Sequence, residues 1–304
     1  MLDDKSKLSR FELTVEKLFH RKRLDEFLFV KLPQYSKACI RAAVRDGLCE
    51  INGELANRGI LLRENDFVEF SVEQRRSKAM AAQQIPLDII YEDASIIAVN
   101  KQYGILVHPT HMERDGTLLN GLSHYLNRKS IPGIEFVRPH LVHRLDRETS
   151  GVMIVAKDTK SAANLARQIK KHRFKKKYLA EVEGVLERDS GTIDKPVYRD
   201  PELKRHLVSP KGKHSLSRYS VVSRGGETTL LELEPVSGRT NQLRIHCSSI
   251  GHPIVGDIIY GANPADRIRL HASGVWFRHP TAKYSMAIRT PDPDFAHRFM
   301  RRSG

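Results

Sequence analysis

Hydrophobic residues recur at helical spacing near the start of the chain. Residues 24–32 carry leucine and phenylalanine at intervals of three and four, and Pro33 ends this predicted helix. Ser36 is a suitable N-cap for a second helix, which Gly47 would end. An alternating segment with the turn pair Asn52-Gly53 follows. The pattern therefore predicts two helices followed by a β-hairpin.

Strands outnumber helices in the rest of the chain. Asp158 can cap a helix whose apolar positions run to Ile169. The predicted strands are 95–100, 151–156, 175–183, 217–223, 228–234 and 275–277. Helices and strands do not alternate regularly, which favours an α+β fold with a mixed, mainly antiparallel sheet over a βαβ repeat.

Changes in composition divide the chain into four segments. We expect an N-terminal extension at 1–20, a small helix-hairpin domain at 21–74, a polar linker at 75–84 and a larger catalytic domain at 85–304.

The charge of the chain favours a polyanionic partner. Lys and Arg number 51 against 36 Asp and Glu, a formal net charge of +15. Lysine and arginine that neutralise phosphates release counterions, although basic secreted and membrane-surface proteins share such a charge. The three cysteines, Cys39, Cys49 and Cys247, are too few for a disulfide framework, and we expect them reduced and buried. No apolar run of membrane-spanning length and no apolar N-terminal core are present, so we expect a soluble cytoplasmic protein without membrane association.

One carboxylate lies within a basic segment. Asp146 stands between Arg144 and Arg147, and nearby positive charge typically lowers an Asp pKa by about 1–3 units. A carboxylate in a phosphate-binding region repels RNA and so disfavours binding. Its presence there is what a catalytic group in an RNA enzyme would look like. A structural Asp that pairs with one of these arginines is an equally good interpretation of the local residues.

Several motifs in order resemble one enzyme family. His143-Arg144-Leu145-Asp146, followed by Thr149-Ser150-Gly151, is similar to the signature of the RluA-type RNA pseudouridine synthases. The further matching segments are Asn100-Lys101 through His108-Pro109, Lys177 to Ala180, Gly238 to His246, Gly251 to Asp257, Leu270 to Ala272, and His279-Pro280.

The resemblance implies roles for particular residues. Asp146 would be the catalytic carboxylate, attacking C1′ of the uridine or abstracting its C2′ proton. Tyr178 would stack on the uracil, Arg244 would pair with Asp146, and Arg144 would fill the space left by the flipped base. Further substrate contacts are implied for His143, Leu145, Arg239 and Gln242.

The family implies neither a cofactor nor a metal. His108, His143 and His246 do not lie at the spacing of a metal motif. The expected partner is RNA, bound by a monomer. Large-subunit ribosomal RNA of bacteria is the favoured substrate, and tRNA is the alternative.

The helix-hairpin segment resembles an S4-type RNA-binding domain, on the residues Arg23 to Asp25, Tyr35 to Lys37, Val44 to Gly47 and Ile51 to Gly53. An ordinary helix-hairpin cap on a larger domain is the alternative. The basic run from Lys170 through Lys177 is either a phosphate-facing surface or a solvated turn.

The chain departs from the family pattern in places. Gln102 stands where proline is usual, Asn241 stands where histidine is common, and the segment 211–215 differs from the usual Gly-Lys-Pro stretch. Two rival functions remain. One is a non-catalytic RNA-binding factor, and the other is a hydrolase that releases the base, for which Glu148 is the nearby second carboxylate.

Overall fold

A computed structural model describes residues 8–57, 59–73, 81–110, 112–128, 136–282 and 284–300. The chain forms two compact units, one from residues 1–85 and 108–138, the other from residues 86–107 and 139–304. Residues 108–138, expected within the catalytic domain, thus belong to the first unit by their contacts. Among the described residues, no helix has the length and apolar character needed to cross a bilayer.

The first unit combines helices with a small antiparallel sheet. Its elements are β1 (Leu8–Thr14), α1 (Leu24–Lys31), α2 (Lys37–Arg45), β2 (Cys49–Ile51), β3 (Glu54–Leu55), β4 (Phe67–Glu73) and α3 (Leu118–Asn127). The strand order is β1-β4-β2-β3. The Ser36 hydroxyl accepts the Cys39 N–H at 3.1 Å, and Asn52 and Gly53 both have positive φ in the hairpin turn. The two predicted helices and the hairpin are therefore confirmed.

Strand β1 lies in the range expected to be an extension. Exposed and half-buried side chains alternate along it, and it pairs with β4 along its whole length, Phe11 lying opposite Phe70. Because the partner strand lies more than fifty residues away, the sequence contains no local turn signal that would indicate β1.

The second unit is built on one large sheet. Its elements are β5 (Asp88–Glu92), β6 (Ile96–Lys101), β7 (His140–Leu141), β8 (Ser150–Ala156), α4 (Thr159–Lys170), β9 (Lys175–Glu183), β10 (Ser190–Asp194), β11 (Val197–Arg199), β12 (His206–Val208), β13 (Leu216–Gly225), β14 (Thr228–Pro235), α5 (Gln242–Ser249), β15 (Leu270–Arg278), β16 (Ser285–Arg289) and α6 (Asp294–Met300). The path of the sheet is β10-β13-β14-β9-β15-β8-β6-β5, with β16 beside β15 and β7 beside β8. All its pairings are antiparallel except that of β8 with β15, which confirms the predicted fold class.

The pairing of β8 with β15 brings two backbones unusually close. Gly151 lies opposite Ala272 with a φ of +116°, and a Cβ at this glycine would sit 2.3 Å from the Ala272 carbonyl oxygen. Only glycine fits such an approach. This contact lies directly after the segment that carries Asp146.

Candidate active site

The loop between β7 and β8 carries the central carboxylate. Leu145 is buried, and the Thr149 N–H donates to the Asp146 carbonyl at 3.1 Å, which closes a tight turn. His143 accepts the Ile154 N–H on Nε2 at 3.0 Å, so the loop is tied to the middle of β8. Burial lowers the pKa of His143 to about 3, and the ring stays neutral.

The environment of Asp146 differs from the sequence prediction. Burial raises the pKa of its carboxyl, and the positive charges of Arg244 and Arg144 offset part of that rise. The predicted lowering by the flanking arginines is therefore wrong. Desolvation outweighs the attraction because Arg144 extends into solvent while the carboxylate is partly withdrawn from it.

Tyr178 lies on β9 and is buried, with 7 % of its surface exposed. Burial raises the pKa of its phenol, and the negative charge of Asp146 raises it further. The ring thus presents a neutral phenol near the carboxylate.

Arg244 is held by a different carboxylate from the predicted one. Its Nε and Nη2 donate to the two oxygens of Asp257 at 2.7 and 2.8 Å, and both side chains are buried. Its Nη1 lies 3.7 Å from Glu148 and 3.4 Å from Asn241 Oδ1. The direct pair between Arg244 and Asp146 is therefore not formed. Asp257 takes the bidentate position because the turn after Ile254 places it beside α5.

Gln242 begins α5, and both polar atoms of its side-chain amide form hydrogen bonds within the protein. Its Oε1 accepts from the Ser237 hydroxyl and the Arg239 N–H, and its Nε2 donates to the Leu216 carbonyl and the Ser217 hydroxyl. These four bonds fix the turn before α5. The Arg239 side chain is exposed, and its Nε contacts the His214 carbonyl at 3.3 Å.

Lys101 is a buried ammonium group at the end of β6. Its Nζ donates to the carbonyls of Gln102 and Ile105 at 2.9 Å and of Arg147 at 3.1 Å. Burial lowers its pKa to about 8, and the charges of Glu148 and Asp146 oppose that lowering. The lysine thereby joins the turn after β6 to the residue that follows Asp146.

A buried chain of hydrogen bonds fixes the end of the same loop. Arg267 Nη2 donates to Ser150 Oγ at 2.7 Å, and Ser150 Oγ hydrogen-bonds Nδ1 of His271 at 2.8 Å. Nε2 of His271 hydrogen-bonds Thr290 Oγ1 at 2.7 Å. Burial lowers the pKa of His271 to about 4, which keeps the ring neutral, so one of its nitrogens donates and the other accepts.

The eight site residues predicted from the sequence line a single cavity of about 260 Å³. They are His143, Arg144, Leu145, Asp146, Tyr178, Arg239, Gln242 and Arg244. Loop 142–149, strand β9 and the start of α5 form its walls, and Leu270 closes it from β15. A cavity of this size suits one extruded base rather than a helix of RNA.

The histidines considered as metal ligands have other partners. His143 accepts a backbone N–H, and His246 bonds the Ser217 hydroxyl and the Lys195 carbonyl through its two nitrogens. Within the described ranges, no three His, Cys, Asp or Glu side chains converge in a way that could hold a metal ion. The three cysteines are free and buried, as expected.

Sequence reasoning missed three kinds of residue around the pocket: Asp257, Lys101, and the chain from Arg267 to Thr290. Asp257 and Lys101 both lie in family-like segments but received no role. A lysine at the end of an apolar strand and an aspartate after Ile254-Val255-Gly256 are signals that could have identified the first two. The third depends on pairings 117 and 121 residues apart.

Comparisons with known proteins agree with the motifs. Residues 95–249 match the family model described as RNA pseudouridylate synthase. An uncharacterized RNA pseudouridine synthase of Aquifex aeolicus is 38% identical over 288 residues, covering 90% of each chain. Ribosomal large subunit pseudouridine synthase D of Escherichia coli O157:H7 is 33% identical over 291 residues, covering 89% of this chain and 87% of the relative. The solved structure of human RNA Pseudouridylate Synthase Domain Containing 1 matches with a TM-score of 0.58 and 29% identity, over 71% of this chain and 87% of the human one.

Proposed function

Because the chain belongs to the RluA-type RNA pseudouridine synthases, which are isomerases, we propose that it converts specific uridines of large-subunit ribosomal RNA to pseudouridine. The observation that carries the proposal is the single cavity in which Asp146, Tyr178 and Arg244 meet. Ribosomal RNA is favoured over tRNA because a relative similar over 89% of this chain is named for the large ribosomal subunit. An enzyme of this kind acts where ribosomes assemble, so we propose a cytoplasmic location. We also propose that the chain acts as a monomer.

We propose that the reaction begins at the Asp146 carboxylate after the target uridine has flipped into the cavity. The carboxylate either attacks C1′ or removes the C2′ proton, and in both routes the C1′–N1 bond breaks. The uracil turns within the cavity and C1′–C5 forms. In the first route the C1′–O bond to Asp146 breaks as C1′–C5 forms, and in the second the proton returns to C2′. The C5 proton then leaves, and N1 gains a proton. No atom is gained or lost, so the chemistry requires no cofactor. The raised pKa of Asp146 supports this role, since a less solvated carboxylate is a better base or nucleophile.

The other pocket residues would position the base and the carboxylate. The Tyr178 ring would stack on the uracil, since flipped bases are held by aromatic faces. Arg244, held by Asp257, would supply a positive charge that stabilises the ionised form of Asp146. Arg144, exposed at the mouth of the cavity, would occupy the place the base vacated.

We propose that the helix-hairpin segment 21–74 is an S4-like RNA-binding domain. Asp25 is buried and accepts from Nε of Arg23 at 3.0 Å and of Arg41 at 2.9 Å, which fixes two half-exposed guanidinium groups on one surface. Ordered arginines of this kind suit phosphate contacts.

Replacement of Asp146 tests the proposed function. Asp146→Asn should reduce pseudouridine formation in ribosomal RNA to background while leaving RNA affinity within about twofold, because the amide keeps the shape and loses the charge. Pseudouridine is measured by chromatography of digested RNA. Glu148→Gln is the matched control and should retain most activity.

Two outcomes would contradict the proposal. An Asp146→Asn variant with normal activity would exclude the carboxylate as the reacting group. Free uracil as the product, together with dependence on Glu148, would indicate the hydrolase instead.

A further inference from the structure

One lysine that lines the cavity around Asp146, here called the uridine pocket, has no role in the chemistry proposed so far. Lys176 lies on β9 and lines this cavity of about 260 Å³ together with Asp146 and Tyr178. Lys176 and Tyr178 are two positions apart, so their side chains leave the strand on the same face, about 7 Å apart along it. A uracil held against the Tyr178 ring would therefore lie within reach of the Lys176 side chain.

Two walls of the uridine pocket lie near the Lys176 ammonium. A Cβ built on Gly238 would lie 3.7 Å from Nζ of Lys176, which places the ammonium beside the turn before α5. Burial lowers the pKa of His143, and the positive charge of Lys176 lowers it further, so the ammonium also lies near the catalytic loop. Gly238 and His143 both line the pocket. The charge of Lys176 is therefore placed at the wall of the cavity.

The Lys176 ammonium has no hydrogen-bond or ion-pair partner within the part of the chain that the structure describes. The side chain is half-buried, and burial lowers its pKa. The other lysines of the described ranges that are buried or half-buried each donate to an oxygen atom: Lys31, Lys101, Lys157, Lys177 and Lys195. A partly desolvated charge without a partner is unfavourable for folding, and functional sites are where such groups are retained.

Cleavage of C1′–N1 creates a negative charge inside the pocket. In both proposed routes the electron pair of this bond passes to the uracil, which becomes an anion whose charge is shared among N1, O2 and O4. The charge persists until C1′–C5 forms. A positive group held near the base stabilises such an anion more strongly than it would in water, because the pocket is partly withdrawn from solvent.

The other cations that line the pocket are less suited to this charge. Arg244 directs its Nε and Nη2 to the two oxygens of Asp257, so most of its charge is already matched. Arg144 and Arg239 are exposed, and solvent screens their effect on a charge inside the cavity. Lys176 combines a position on the wall of the pocket with partial burial.

We propose that Lys176 is a further catalytic residue, whose ammonium contacts a carbonyl oxygen of the flipped uracil and stabilises the anion that forms when C1′–N1 breaks. The ammonium keeps its proton in this step and forms no covalent bond. The inference rests on the proposed function, because it assigns a role within the same reaction. A phosphate of the flipped nucleotide is the rival anion for this lysine, and the experiment separates the two.

Removal of the charge tests this role in the full-length protein. Lys176→Met should lower the single-turnover rate constant on large-subunit ribosomal RNA at least about tenfold, with RNA affinity within about twofold of the parent. Lys176→Arg keeps the charge and should recover most of the rate. Lys157→Met is the matched control and should keep the parent rate, since Lys157 is also half-buried but pairs with Glu92 at 2.8 Å and does not line the pocket.

Thermal melting separates a catalytic role from a structural one. Because the Lys176 charge is partly buried without a partner among the described residues, its removal relieves an unfavourable term. Lys176→Met should therefore melt at or above the temperature of the parent protein.

A change in the substrate tests the same charge. Ribosomal RNA transcribed with 5-fluorouridine in place of uridine carries an electron-withdrawing fluorine at C5, which stabilises the uracil anion without help from the protein. The rate deficit of Lys176→Met relative to the parent should therefore shrink at least about threefold on this RNA. The C-linked product is measured by mass spectrometry of digested RNA. Asp146→Asn should form no such product from either RNA.

Parent rates in Lys176→Met, or an equal deficit on both RNAs, would overturn the inference and leave the proposed function intact. Weaker RNA binding at an unchanged rate constant would overturn it in favour of a phosphate contact. A lower melting temperature, with a rate that Lys176→Arg does not restore, would overturn it in favour of a structural role. A deficit in Lys176→Met beside a normal rate in Asp146→Asn would uphold the lysine and refute the catalytic carboxylate.

Discussion

The two faces of β9 each carry a lysine, but the two lysines have different surroundings. Toward the pocket, Lys176 is half-buried and burial lowers its pKa, while Tyr178 lies near Asp146. On the opposite face of the strand, Lys175 extends into solvent. The pocket face therefore holds its lysine partly out of water, whereas the opposite face holds its lysine in solvent, where it can contact a flexible polymer.

This difference decides how each face should respond to mutation. A buried charge that loses its partner is left desolvated, so one change has a large effect. An exposed charge contributes little alone, and the contributions of several add up. Predictions that compare the two faces can therefore be ranked by size.

The largest effect is expected for Asp257→Asn. The change leaves the buried Arg244 with an uncharged partner, and it should lower the free energy of unfolding by about 3–5 kcal/mol. Isomerase activity should also fall, because Arg244 would no longer be held beside Asp146. Chemical denaturation and single-turnover assays measure the two effects. Asp266→Asn is the control, since Asp266 forms an exposed ion pair with Arg269 and should matter by less than about 1 kcal/mol.

An intermediate effect is expected on acidification. The pKa values of His143 and His271 are lowered to about 3 and about 4, against about 6.5 in the unfolded chain. Between these values and pH 6.5 the unfolded state binds more protons, so stability falls as the pH drops. By pH 5 each ring should account for about 2 kcal/mol lost relative to pH 8.

Denaturation of His271→Gln at several pH values checks this prediction. The variant should show a shallower loss of stability in acid, whereas His297→Gln, at an exposed position, should follow the parent protein. Identical pH profiles for His271→Gln and the parent would show that His271 does not contribute to the loss.

The smallest effect compares two consecutive lysines. Lys175→Gln should change stability by less than about 0.5 kcal/mol and reduce the salt dependence of RNA binding by about one phosphate contact. Lys176→Gln should instead alter kcat, because its side chain lines the uridine pocket. Binding at varied salt and steady-state kinetics distinguish the two. A Lys175 variant with altered kcat would contradict the division of β9 into two functional faces.

Local signals were enough for much of the fold. The Ser36 and Asp158 caps accept the backbone N–H groups three residues on, and the Asn52-Gly53 turn forms as predicted. Strand β9 also matches its predicted range of 175–183. Each of these features depends on residues close together in the chain.

Long-range partners account for what could not be predicted. Helix α5 has polar residues at Gln242, Arg244 and His246, yet all three are buried because distant groups satisfy them. The sequence of α5 therefore lacks the single apolar face by which a helix is predicted. The partner of Arg244 was assigned to the wrong carboxylate for the same reason, since the choice between Asp146 and Asp257 depends on packing.

Gly151 has a consequence for how the enzyme can be redesigned. Its close approach to Ala272 fixes the point where the catalytic loop joins the sheet, five residues after Asp146. An insertion between Asp146 and this contact would displace the carboxylate from the cavity or separate the two strands. New RNA specificities are therefore best sought in libraries that keep the stretch from Asp146 to Gly151 at constant length and vary side chains elsewhere around the cavity.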